Sequence, residues 1–206
     1  MRQGRTQLLT CLSLLLISGC TLLPEAGPAP LQLQLAPLGK SQESRAKHYA
    51  ADTQTLVVER PQSTPALNSR NIWYQPAPNQ LMPFRDHIWS EPLPQQLQRI
   101  SVDYLADQLS QISVHQDRPG IDATYRLSIT LHTWHLDQLA GTLAIALYAD
   151  LLTAEGKPLA RWQWEQTETL SEISAPGMAA ASQHWVQSWL EGLPEQLERV
   201  VAESGR

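Results

Sequence analysis

The stretch that decides the fold is TYRLSITLHTWHLDQLAGTLAIALYAD, Thr124 to Asp150. Apolar side chains alternate with polar ones in its first half, and the two-residue period returns in its second half with Leu143, Ile145 and Leu147. A period of two residues is typical of strands that bury one face of a sheet. With turns near Ala140-Gly141 and in the stretch AEGKP, the pattern predicts a three-stranded antiparallel meander over residues 124–169.

Two other segments place apolar residues three and four positions apart, which is the period of an amphipathic helix. The first runs from Ser90 to Leu109; we expect Ser90 to cap it, and Pro92 and Pro94 are tolerable in its first turn. The second opens at Ser174 and continues toward the C-terminus, with an apolar face formed by Met178, Ala181, Trp185, Trp189 and Leu193. Gly192 and Pro194 are predicted to kink or break this second helix.

Shorter strands are predicted before the first helix, separated by a polar loop from Ala36 to Asp52. They cover Leu31–Leu35, Thr53–Glu59, Asn71–Gln75 and Gln80–Phe84. Strands, helix, strands and helix in this order predict an α+β fold, with a mostly antiparallel sheet and two amphipathic helices packed on one face. We expect residues 31–206 to form a single domain, because their number suits one hydrophobic core.

The chain begins like a secretory signal peptide. Arg2 and Arg5 precede a short apolar run, Leu8 to Ile17, and small residues follow. The run ends in ISGC, which resembles the bacterial lipoprotein signal and predicts cleavage of residues 1–19 and acylation of the Cys20 thiol. A plain signal peptide with a chance cysteine beside the cut is the alternative interpretation.

Removal of the first 19 residues from the chain of 206 leaves a mature chain of 187. Cys11 leaves with the leader, so Cys20 is the only cysteine and no disulfide can form within the mature chain. Residues 20–30 then form an acylated, proline-rich tether. Loss of Arg2 and Arg5 changes the net charge from −5 to −7. This acidic balance without a basic run argues against a nucleic-acid partner and against docking on anionic head groups.

The sequence offers no arrangement typical of a catalytic, cofactor or metal site. His132 and His135 are three residues apart on a predicted strand, so we expect them on opposite faces and not as ligands of one metal. No nucleophile motif, dinucleotide fingerprint or phosphate loop frames the serines, histidines and acids. We therefore predict a protein that is not an enzyme and that holds no cofactor.

Seven tryptophans are many for this length. Trp162 and Trp164 share one face of a strand, and Trp185 and Trp189 share one stripe of a helix. We expect these pairs to meet in the core between sheet and helix; an apolar partner groove is the alternative. Trp89 and Trp73, which lie near proline-rich loops, are the better candidates for the surface.

The stretch IWSEPLPQQLQRISVDYLADQL, Ile88 to Leu109, resembles the ABC-type transport auxiliary lipoproteins. The lipoprotein signal, the early strand LQLQLAPL, the meander from YRLSITL and the closing amphipathic helix agree with this family in order. The resemblance implies an accessory lipoprotein that meets an inner-membrane MCE-domain protein, possible assembly into a homo-oligomer, and no catalytic residues. Thr21, where an Asp would favour retention at the inner membrane, implies the periplasmic face of the outer membrane.

Four aromatic residues before the first helix are the candidate partner contacts: Trp73, Tyr74, Phe84 and Trp89. Two other roles stay open. One is a direct lipid carrier, and the other is an activator or assembly factor for a cell-wall or lipopolysaccharide machine.

Overall fold

A computed structural model describes residues 27–38, 47–50 and 52–204. The predicted leader and Cys20 lie outside these described residues. Within them the chain forms nine strands and two helices. The strands are β1 Leu31–Leu33, β2 Gln54–Val58, β3 Gln62–Ser63, β4 Asn71–Ala77, β5 Gln80–Trp89, β6 Ile112–Gln116, β7 Tyr125–Asp137, β8 Thr142–Thr153 and β9 Pro158–Thr169. The helices are α1 Leu93–Gln108 and α2 Ala175–Ser204, and the predicted α+β class is confirmed.

The predicted meander is present as β7, β8 and β9. β7 pairs antiparallel with β8 along its whole length, from Tyr125 opposite Thr153 to Asp137 opposite Thr142. β9 pairs antiparallel with the other side of β8. Gly141 lies in the first turn with φ 65°, a left-handed conformation that glycine adopts without strain. The alternating segments therefore fold into a sheet that has one buried face, as predicted.

The second edge of β7 is shared by three short strands. β2, β3 and β4 pair with it in turn, all in parallel orientation. β6 adds to β2 in parallel, β5 adds antiparallel to β4, and β1 adds in parallel to β5. The sequence analysis missed β3 and β6, which have only two and five residues. Periodicity reports which face of a strand is buried but not which strand it will join.

The core lies between the apolar face of the sheet and the two helices. Trp134 of β7 is 1% exposed, and its Nε1 donates a hydrogen bond to Ser182 Oγ of α2 at 3.0 Å. Its ring meets Trp185 edge to face at 5.4 Å, Trp185 stacks on Trp189 at 5.7 Å, and Trp189 meets Trp164 at 5.9 Å. The predicted meeting of strand and helix tryptophans is confirmed for Trp164 with Trp189, while Trp162 is half-buried and packs against the core.

Amide side chains connect the chain around β1 to the helices. Gln96 of α1 accepts a hydrogen bond from the Leu35 backbone N–H at 2.8 Å, and Gln183 of α2 accepts one from Ala36 at 2.7 Å. The predicted cap at Ser90 is wrong, because the helix begins after Pro92 without a side-chain cap. Ser90 instead donates its backbone N–H to the carbonyl of Leu33 at 2.7 Å, which ties the start of α1 to β1.

The last helix opens as predicted and does not break. Ser174 Oγ accepts a hydrogen bond from Gly177 N–H at 3.1 Å. The helix then continues through Pro194 to Ser204, so the predicted break is wrong. A proline inside a helix costs ~3 kcal/mol, whereas each buried leucine contributes ~1.5–3 kcal/mol. Leu190, Leu193 and Leu197 are all buried around the proline, and their packing outweighs its cost.

Two glycines of this helix provide a matched stability test. A Cβ on Gly177 would lie 2.0 Å from the carbonyl oxygen of Glu172, whereas one on Gly192 would meet nothing closer than Gln196 Nε2 at 3.7 Å. Gly177→Ala should lower the free energy of unfolding by about 1–3 kcal/mol through overpacking. Gly192→Ala should raise it by about 0.5–1 kcal/mol. Urea unfolding measures both; equal effects of the two substitutions would contradict the close packing at Gly177.

Candidate docking surface

The β4–β5 hairpin is uncharged around its turn. No charged residue occurs from Asn71 to Phe84, although 17% of the whole chain is charged. Asn79 turns the hairpin with φ 64°, a conformation that asparagine tolerates. Near the turn Leu81 is 45% and Met82 is 47% exposed. An uncharged hairpin that displays large apolar side chains is typical of a contact surface.

Two of the four predicted contact residues lie together on this hairpin. The rings of Tyr74 and Phe84 are 4.9 Å apart, and Tyr74 Oη lies 3.8 Å from Met82 Sδ. Both rings are half-buried, with one side packed on the core. Trp73 is also half-buried, and its Nε1 donates to the carbonyl of Ala66 at 2.8 Å.

The surface position expected for Trp89 is wrong. Its side chain is 2% exposed and belongs to the core. The reason is the length of β5, which continues five residues past the predicted end at Phe84. Trp89 therefore sits at the end of a strand beside α1 and not in a loop.

The meander has an open face, on the side away from the helices. Arg161 of β9 holds the Asp150 carboxylate with two hydrogen bonds of 2.6 and 2.8 Å. Its guanidinium lies 4.5 Å from the centre of the Tyr148 ring, and the His132 ring lies 5.1 Å from the same ring. The charged groups of Arg161 and Asp150 are thus paired with each other within the sheet.

The prediction that His132 and His135 point to opposite faces is wrong. A β-bulge between Leu131 and Thr133 inserts one residue, so the alternation shifts and both histidines lie on the open face. His135 is half-buried and lies 2.8 Å from Gln75 Oε1 on β4. Among the residues that the structure describes, no group of three histidines, cysteines or acids could hold a metal ion.

Two concavities lie beside this sheet. One of about 240 Å³ opens over the small side chains of Ala144 and Ala146. The other, of about 190 Å³, lies between β9 and α2 and is lined by Trp164, Trp185 and Trp189. Both volumes are below the ~300–1,000 Å³ of typical ligand pockets.

One Ser–His contact was not foreseen from the sequence. Ser113 Oγ lies 2.6 Å from His115 Nε2, because residues two apart on β6 share a face. Neither side chain lines the two concavities, and a nucleophile needs a substrate site beside it.

Neither described helix is long and apolar enough to cross a membrane.

Comparison with known families gives a clear match. Residues 34–192 match the profile of the ABC-type transport auxiliary lipoprotein component. The chain belongs to this family. An ABC-type transport auxiliary lipoprotein is an accessory component of a transport system, and the family is not known for enzymes.

Solved structures share the fold of this auxiliary lipoprotein. A crystal structure of a protein from Xanthomonas campestris is 20% identical, with a TM-score of 0.66, over 86% of this chain and 97% of that one. Another, of a protein described as uncharacterised, is 19% identical, with a TM-score of 0.65, over 82% and 99%. At these identities the likeness shows the fold alone. No curated protein matches the chain significantly.

Sequence reasoning missed three of the most exposed apolar side chains, Leu81, Met82 and Leu139. The signal that could have found them was present: a run without charge that continues through a hairpin turn. Turns exposed to water are normally polar, so leucine and methionine beside a turn indicate a contact.

The environment of His135 predicts a pH effect on stability. Burial lowers the pKa of His135 below 6.5, and the nearby Asp137 carboxylate opposes this only in part. The unfolded chain therefore takes up the proton first as the pH falls. The stabilising contribution of His135 is present above about pH 6.5 and is lost as the pH falls through the lower pKa of the folded state.

His135→Gln should accordingly flatten the decline in unfolding free energy between about pH 7 and about pH 5. His132→Gln, on the same strand but exposed, is the matched control and should leave most of the decline in place. Chemical denaturation at several pH values measures both slopes. Identical slopes for His135→Gln and the unmodified protein would refute the prediction.

Proposed function

We propose that this protein is a non-catalytic outer-membrane lipoprotein that serves as the accessory subunit of an MCE-type lipid transport system. The acyl chains on Cys20 anchor it, its domain faces the periplasm, and it docks the MCE protein that spans the periplasm from the inner membrane. The observation that carries this proposal is the family match over residues 34–192, preceded by a lipoprotein signal ending at Cys20.

The length of the tether supports docking close to the membrane. Eleven residues separate Cys20 from Leu31 at the start of β1, which is a reach of ~39 Å when fully extended. The domain therefore stays beside its own membrane, and a partner anchored in the opposite membrane has to reach it. Within the family the sequence resembles paraquat-inducible protein C, and this resemblance implies a partner of the periplasm-spanning MCE type.

The flank of the β4–β5 hairpin is the proposed contact for the partner. Tyr74 and Phe84 present adjacent half-buried rings there, with Trp73 next to them in the chain. Interface energy concentrates in such aromatic side chains, which cost little conformational entropy to fix. The direct-carrier role has less support in the part of the chain that the structure describes, because the concavities of about 240 and 190 Å³ beside the sheet are small for a lipid.

The first test is cross-linking of the acylated protein in cell envelopes, followed by purification and mass spectrometry of bound proteins. We expect an MCE-domain membrane protein, with recovery reduced roughly tenfold or more in the Tyr74→Ala, Phe84→Ala double variant, since each hot-spot ring contributes about 1–2 kcal/mol. Tyr148→Ala, on the open face, is the matched aromatic control and should keep the partner. Thermal unfolding checks that the variants fold. Recovery of a cell-wall or lipopolysaccharide factor instead would overturn the proposal.

The second test concerns the anchor. Cys20→Ser should abolish labelling by radioactive palmitate and release the protein from membranes, because the acylated thiol is removed. Thr21→Asp should keep the label but move the protein from outer- to inner-membrane fractions of a sucrose gradient. Unmodified protein found in inner-membrane fractions would contradict the proposed location.

A further inference from the structure

Large apolar side chains are exposed mainly at one end of the sheet. Of the six exposed large hydrophobic residues in the described chain, four lie at that end. These four, which we call the apolar end, are Leu81 and Met82 beside the β4–β5 turn, Leu139 in the β7–β8 turn and Ile173 after β9. Leu139 is the most exposed of them, at 73%.

Contacts between the connections hold the apolar end together. Gln138 N–H donates to the carbonyl of Gln75 at 3.0 Å, which fixes the β7–β8 turn against β4. Asp137 Oδ1 accepts hydrogen bonds from the N–H groups of Leu139 and Ala140, both at 2.9 Å. Ile173 lies against the β7–β8 turn, because its Cδ1 would be 3.4 Å from a Cβ added at Gly141. The exposed leucine is thus presented by an ordered turn.

The chain that leads to the anchor enters from the same side. β1 runs parallel to β5, with Leu31 opposite His87 and Leu33 opposite Trp89. Because β5 starts at the hairpin turn, the residues before Leu31 lead back toward the apolar end. Gly27 to Pro30 are exposed and outside regular structure, and only seven further residues, a reach of ~25 Å, separate Gly27 from Cys20.

The opposite end of the sheet is different in chemistry. The β8–β9 turn there is Ala154-Glu155-Gly156-Lys157, which is exposed and charged. From Asn71 to Phe84 the hairpin has neither lysine nor arginine, and Arg85, which follows in β5, is next to Asp86. The part of the hairpin nearest the turn therefore offers no counter-charge to anionic head groups. The exposed side chains of the apolar end are large and apolar. Such side chains are suited to the region of a bilayer where the head groups meet the acyl chains.

We propose that the apolar end rests on the lipid surface to which the protein is anchored, with Leu81, Met82 and Leu139 in the interfacial region. This inference rests on the anchoring through Cys20 in the proposed function. The tether keeps the apolar end within tens of ångströms of the bilayer, so even a weak apolar contact is largely populated. The charged β8–β9 turn then faces the periplasm, and the flank of the hairpin meets its protein partner beside the membrane.

The test uses the acylated full-length protein, reconstituted in phosphatidylethanolamine–phosphatidylglycerol vesicles whose acyl chains carry nitroxide quenchers. Leu139→Cys introduces a thiol for an environment-sensitive fluorophore, because Cys20 is blocked by acylation. Lys157→Cys, in the turn at the opposite end, is the matched control. We expect blue-shifted and quenched emission from the probe at position 139, and neither effect at position 157. Adding Leu81→Asp and Met82→Asp should reduce the quenching at position 139, because two carboxylates resist burial in lipid.

The outcomes separate this inference from the proposed function. Vesicle flotation reports anchoring: a protein that does not float has lost its anchor, which contradicts the proposed function itself. A protein that floats with no quenching at position 139 keeps its anchor and overturns the orientation alone. The same holds if both positions are quenched equally, or if the probe at position 139 is shielded only when the protein partner is added.

Discussion

The fold depends on β7 having partners along both of its edges. One edge is occupied by β8 over its full length, and the other is divided among β2, β3 and β4. The strand can be placed so centrally because its apolar residues all face the helices, with Trp134 bonded to Ser182 of α2. A backbone paired on both sides has few unsatisfied groups, and a large buried ring between strand and helix fixes how the two layers lie. The hairpin and the helices take their positions from this strand.

The meander and both helices could be predicted from the sequence because their signals are local. Alternation and helical spacing repeat many times within β7, β8 and α2. The break expected at Pro194 was wrong because the local rule for proline does not include the tertiary packing of the buried leucines around it. The parallel pairings of β1, β2, β3 and β4 could not be predicted, since a partner distant in the chain leaves no trace in a strand's own period. The bulge before Thr133 is a similar case, because one inserted residue brings His135 to the same face as His132 and leaves no mark in the composition.

The candidate surface was predicted only in part, for related reasons. Tyr74 and Phe84, two of the candidate contacts, lie together because a hairpin joins their strands directly. Trp89 was misplaced because the end of a strand depends on what it pairs with, and β1 extends the pairing as far as Trp89. The exposed apolar side chains of Leu81 and Leu139 belong to connections that are far apart in sequence and meet only in the folded sheet. A catalytic site is often marked by a short sequence motif, whereas a contact surface assembled from separate segments is not.

The parallel alignment of β1 with β5 has a mechanical consequence. A pull on the residues that precede Leu31, directed along the strand, loads the β1–β5 hydrogen bonds in shear. In shear the bonds share the force, whereas peeling breaks them one after another. The chain just beyond β1 is also fastened to both helices by the amides of Gln96 and Gln183. A domain held to a membrane by its N-terminus, and drawn on by a partner from the other side, would thus transmit tension into its sheet before its first strand detaches.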